Sequence, residues 1–140
     1  MKNILNLVVF AVLAVFTQVA SAHGVSNSSQ IYGWWQVQTP LVDDGFVYST
    51  GQIYFDENNI TFQATCSFRG GLNMTAQVSS PLQYNFDFFN ILQNQEGVTR
   101  SGNASCVAKL IAGPVEYNIQ DLNHMEIFNR NTGFYMELVK

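Results

Sequence analysis

The chain has 140 residues, 47% apolar and 14% aromatic but only 11% charged, with a formal net charge of −4. This composition excludes a disordered chain, and the length suits one hydrophobic core rather than two domains. Without Lys2, five basic residues face ten acidic ones, a net charge of about −5 that repels phosphate backbones and anionic lipid, so no nucleic-acid partner is expected.

Residues 1–22 have the pattern of an export signal. Lys2 gives the positive start, Ile4 to Phe16 the apolar centre, and Ala20-Ser21-Ala22 the small-residue cleavage pattern. The apolar centre is short of the ~20 residues that span a bilayer, so cleavage after Ala22 is expected, leaving no stable membrane anchor and a periplasmic or secreted product. Left in place, the run of Leu, Ala and Val, free of Gly and Pro, predicts a helix. Residues 23–29 then form a polar, flexible arm, and residues 30–140 the folded domain. Cleavage would make His23 the N-terminus, where the amino group and imidazole together chelate copper. The only other histidine is His124, in what reads as a turn between strands, so no metal site is assigned.

From Gln30 onward the apolar residues recur with period two, and no segment has a convincing 3.6-residue repeat. Ile31, Gly33, Trp35 and Val37 alternate with Tyr32, Trp34, Gln36 and Gln38, until Pro40 and Asp43-Asp44-Gly45 break the strand. Asp43-Asp44 reads as a solvated loop pair. Strands over Phe46 to Phe55 and Ile60 to Phe68 are joined by a turn at Asp56 to Asn59. Arg69-Gly70-Gly71 leads into Leu72 to Val78, and Ser79-Ser80-Pro81 predicts a further turn. Leu82, Tyr84, Phe86 and Phe88 read as one inner face. The pattern lapses from Asn90 to Ser101, predicting a loop or mobile hairpin at the rim. Strands resume over Asn103 to Ile111 and Val115 to Gln120, and a final hairpin turns at Asn131-Thr132-Gly133. The fold expected is all-β: an antiparallel up-and-down meander of about eight or nine short strands that closes into a small barrel or folds into a sandwich.

Export makes the two cysteines readable, because an even count in an oxidising compartment implies a bridge. Cys66 and Cys106 each lie on the apolar side of an alternating run, so both sulfurs should point inward and pair. A redox-active pair is disfavoured, since neither a Cys-x-x-Cys spacing nor a cationic neighbour is present to lower a thiol pKa. The sequons at Asn27, Asn59, Asn73 and Asn103 all fall on the arm, a turn or a polar strand face, which agrees with these faces.

Gly33-Trp34-Trp35 resembles the Gly-x-Trp pattern on the first strand of lipocalin-like, or calycin, barrels. The resemblance implies that Trp35 packs across the closed end with a basic residue from the last strand over it. Phe134, Met136, Leu138 and Lys140 share one face, which makes Lys140 the candidate, with Arg130 as competitor. Gly33, Trp35 and Lys140 thus form the expected barrel floor. The chain is shorter than a typical lipocalin, and Lys stands where Arg is usual; it looks more like the compact bacterial lipocalin-like domains or the small barrel inhibitors of secreted metalloproteases.

No catalytic motif is present: no Gly-x-Ser-x-Gly, no His-Glu-x-x-His, and no Gly-rich phosphate loop. A non-enzymatic protein without a cofactor is expected. The aromatic residues Tyr54, Phe62, Tyr84, Phe86, Phe88 and Tyr117 either fill a small barrel or line a pocket. Lining a pocket implies a small apolar or amphipathic ligand in the barrel mouth. Filling the barrel implies a protein-interaction module, such as a protease inhibitor, that uses the N-terminal arm or loops. Copper bound through His23 is the third reading.

Overall fold

Alternating apolar and polar side chains build the wall of a closed barrel in a computed structural model that describes residues 7–13 and 28–140. The strands are β1 (Leu7–Leu13), β2 (Gly33–Val37), β3 (Val42–Asp43), β4 (Val47–Phe55), β5 (Asn59–Phe68), β6 (Asn73–Tyr84), β7 (Phe88–Ile91), β8 (Gln95–Ser101), β9 (Ala104–Leu110), β10 (Gly113–Asp121), β11 (His124–Asn129) and β12 (Phe134–Val139), with a single turn of 3-10 helix at Ser28–Ile31 before β2. Eight of them, β2, β4, β5, β6, β7, β10, β11 and β12, pair antiparallel in that order. The ring closes where Leu138 and Val139 of β12 meet Val37 and Gln36 of β2. The short β3 extends the free margin of β4. The Cys66–Cys106 disulfide, with its Cα atoms 5.9 Å apart, belongs to an oxidising environment.

Burial follows the alternation. Val47, Ile53, Phe55, Ile60, Phe62, Ala64 and Cys66 of β4 and β5 are buried, while Gln52 and its neighbours on the other face are more exposed. Phe55, Phe89 and Tyr117 join Trp35, Ile127 and Leu138 in one continuous core. At roughly 25 cal/mol per Å² of apolar surface, each fully buried large side chain contributes about 2 kcal/mol, so this core carries most of the fold's stability.

β8, β9 and β1 are not part of the ring. The chain leaves the barrel after β7 as a β8–β9 hairpin and returns at β10, which pairs directly with β7. The hairpin lies against the long strands β5 and β6: the Thr99 hydroxyl donates to the Thr75 carbonyl at 2.6 Å, and Cys106 is bonded to Cys66. β1 then runs parallel along the other edge of β9, from Leu7 opposite Ala104 to Leu13 opposite Leu110. A bridge that closes 40 residues stabilises the fold by about 4 kcal/mol on the chain-entropy model.

Four expectations from the sequence are corrected here. Residues 7–13 form a strand rather than a helix. An isolated helix of that length is marginal, whereas Val8, Val9, Phe10 and Val12 favour a strand and β9 offers a ladder. Ser79-Ser80-Pro81 is not a turn, for β6 runs through it, with Pro81 opposite Asn59 where the β5 ladder ends. The turn falls instead within the run read as one strand, where the Asn85 amide donates to the Phe88 carbonyl at 2.8 Å. Asn85 and Asp87 are the turn formers there. Finally, residues 90–101 are not a rim loop: Asn90 and Ile91 end β7, and β8 takes up most of the span as the first arm of the β8–β9 hairpin, a hairpin being the other form expected there. The cleavage site, His23 and the arm up to residue 27 lie outside the described residues.

Candidate functional site

Gly33, Trp35 and Lys140, the residues expected at the barrel floor, come together in the structure. Trp35 is 1% exposed, and its indole N–H donates to the Ile31 carbonyl at 2.8 Å. The Lys140 ammonium lies 4.9 Å from the Trp35 ring and donates to the Tyr32 carbonyl at 2.9 Å. Gly33 takes a φ of 111° beside it, and a Cβ there would sit 3.7 Å from the ammonium. Arg130 is elsewhere, over Phe128 and paired with Glu116 at 3.4 Å.

The six candidate aromatic residues do not act as one set. Phe62 and Tyr117 are buried in the core, and Tyr84 packs against it from a partly buried position. Tyr54 and Phe86 are corrections. Tyr54 points outward and packs on Trp34 at 5.1 Å, because it shares a face with Thr50 and Gln52. Phe86 sits on the turn between β6 and β7 and is 47% exposed. That turn also reverses the parity that follows, so Phe88 is buried outside the core cluster while its neighbour Phe89 enters the core. Phe89 meets Phe55 at 5.3 Å, Tyr117 at 6.1 Å and Tyr84 at 6.4 Å. The Tyr84 hydroxyl donates to the Asp56 carbonyl at 2.7 Å, and burial, more than the nearby Tyr32, holds its pKa far above the ordinary value. Tyr32, Tyr84, Phe89, Phe55 and Tyr117 thus form a connected set of ring contacts.

Open space lies at the β3–β4 end. A cleft of about 300 Å³ is lined by Asp43, Phe46, Tyr48, Ser67, Phe68 and Arg69. Two turns build it, since β4 and β5 pair Val47 with Phe68 and so place Phe46 beside Arg69. The Arg69 amide donates to the Phe46 carbonyl at 2.7 Å, and its guanidinium stands 5.9 Å from the Phe46 ring. The Asp44 carboxylate accepts from the amides of Phe46 and Val47, both at 2.9 Å, and these bonds hold its pKa below the usual carboxylate value. Phe46 and Tyr48 are 59% and 46% exposed, a pair of aromatic faces left open to solvent. Neither they nor Arg69 stand out in the sequence as site residues. The available signal was an aromatic residue just past the Asp43-Asp44-Gly45 turn, with an Arg just before Gly70-Gly71.

His124 is exposed and its Nδ1 lies 2.8 Å and 2.9 Å from the two Asp121 carboxylate oxygens, in the turn expected there. Among the described residues, no group of three or more His, Cys, Asp or Glu side chains is arranged to hold a metal ion. His23, the other half of the copper reading, is not among them. The fold and the bridge define a class: an eight-stranded antiparallel β-barrel braced by a disulfide. Compared with protein-family models, curated proteins and solved structures, the chain matches none.

Proposed function

We propose that the chain is an exported, non-enzymatic, lipocalin-like binding protein that takes a small amphipathic molecule at the open rim of its barrel. The Phe46–Arg69 cleft carries this reading, because it joins exposed aromatic surface to a cation. An apolar body would lie against Phe46 and Tyr48, and an anionic or carbonyl head would accept from Arg69. Of the aromatic residues that the sequence places in the barrel mouth as the ligand site, Phe62 and Tyr117 are buried in the core and Tyr84 packs against it. Export is supported by the leader pattern of residues 1–22 and by the disulfide, and the calycin kinship by the Gly33, Trp35 and Lys140 arrangement.

The amphipathic anion 1-anilinonaphthalene-8-sulfonate tests the site. Titrated into the native oxidised protein, it should bind saturably with enhanced emission, and Phe46→Ala and Arg69→Met should each weaken binding about tenfold, the cost of one charge-assisted contact or one aromatic face. Binding that neither substitution changes would place the site elsewhere.

A further inference from the structure

The second sheet has the order β1-β9-β8, so among the described residues β9 pairs with two strands, β8 antiparallel on one edge and β1 parallel on the other. β1 lies within the leader, and on the export reading it is removed. The edge of β9 from Ala104 to Leu110 then loses its partner along all seven residues. We propose that in the processed protein this edge receives an extended apolar peptide strand from a partner, laid parallel to β9 in the register that residues 7–13 take here. The inference rests on the export reading above.

Three observations carry it. First, β9 is not built as a solvent edge. Sheet edges that face water are blunted with charge, Pro or bulges. β9 has no Pro, and its one charge, Lys109, is turned to Glu96 of β8 at 3.7 Å. With β1 in place, Ser105, Cys106, Val107 and Ala108 are buried in sequence, so both faces of the strand carry buried residues.

Second, the strand is tied to the barrel by contacts that do not involve β1. Cys106 is bonded to Cys66 of β5, and Thr99 of the adjoining β8 is hydrogen-bonded to β6. Preorganisation of this kind removes most of the ordering cost of strand addition.

Third, the chemistry of the seat selects a strand over a lipid chain. An acyl chain could cover apolar surface but would leave the main-chain N–H and C=O groups of the edge unpaired, and those demand partners. The occupant here, Leu-Val-Val-Phe-Ala-Val-Leu, is apolar and rich in β-branched residues, with no glycine or proline. The parallel direction excludes a tight hairpin as the source, so the strand arrives from a distant segment or another molecule.

Protein purified after export from cells expressing the full chain supplies the test, with intact mass reporting the N-terminus and the disulfide. The probe is a synthetic, fluorescently labelled peptide of residues 6–14 flanked by two lysines at each end. It should bind saturably by anisotropy and slow hydrogen exchange of the β9 amides by at least about tenfold. In a parallel ladder alternate residues of the incoming strand face β9, so of two alternately N-methylated versions of the peptide one should bind about tenfold more weakly than the other. A cleaved protein that fails to bind the peptide, binds both methylated forms as well as the parent, or already pairs this edge with a second copy, overturns this inference alone. A retained leader overturns the export reading and this inference with it.

Discussion

Lys140 and Trp35 come from the two ends of the folded domain and meet across the ring closure. The ammonium makes two contacts at once, with the indole face at 4.9 Å and with the Tyr32 carbonyl at 2.9 Å. Lys140→Met keeps the length of the side chain and removes both. It should lower stability by about 1 to 2 kcal/mol, read as a fall in the urea midpoint at unchanged slope, while Lys140→Arg keeps most of the difference. Trp35 and Lys140 were legible because the alternation of β2 turns Trp35 inward, and that of β12, counted one residue past its end, puts Lys140 on the face of Leu138. Tyr54 was legible by the same count, since Thr50 and Gln52 place its face outside. Its aromatic character pointed inward only because burial was expected of every large ring. Phe86 and Phe88 were not legible, because a three-residue turn changes the parity and nothing in the local composition marks it beyond Asn85 and Asp87.

At the scale of elements, the β8–β9 hairpin is the part that counting strands could not place. Its alternation predicts a strand over Asn103 to Ile111, found at Ala104–Leu110, and points Cys106 inward, as found, but alternation cannot say that the strand lies across the barrel wall instead of within it. The packing that decides this is close. A Cβ at Gly97 would collide with the main-chain carbonyl oxygen of Gln77, which cannot move aside without distorting β6. Gly97→Ala should therefore cost about 1 to 3 kcal/mol, the range for overpacking, and should raise hydrogen exchange in β8 and β9 while the β10–β12 amides keep their protection. Uniform loss of protection would mean that the hairpin and the barrel unfold as one unit. The cleft at the β3–β4 end was hidden for a related reason. Phe46 and Arg69 are far apart in the chain, and only the register of β4 on β5 brings them together.

For the molecule as a whole, the shortage of charge means that few groups link stability to pH. Among the described residues, two exposed carboxylates have depressed pKa values. Asp44 is held down by the Val47 and Phe46 amides, and Asp121 by the Asn123 amide and then His124. A carboxylate with a depressed folded pKa stabilises the fold above its unfolded value of 3.8, and that contribution is lost as the pH falls through the folded value. The urea midpoint should thus be flat from neutral pH down to about 4 and fall below it. An Asp44→Asn, Asp121→Asn double variant, which keeps acceptors at both turns, should show a shallower fall. Both groups are solvent-exposed, so the effect is modest and shrinks further in high salt.

The two adjacent tryptophans point to opposite sides of one strand, with 47% of Trp34 exposed against 1% of Trp35. The consequence is optical. Neutral quenchers in solution reach the first indole and not the second, so emission from the folded protein separates into an accessible component from the outer wall and a shielded one from the floor. Events at the surface and the opening of the core can be followed in the same sample, without a label.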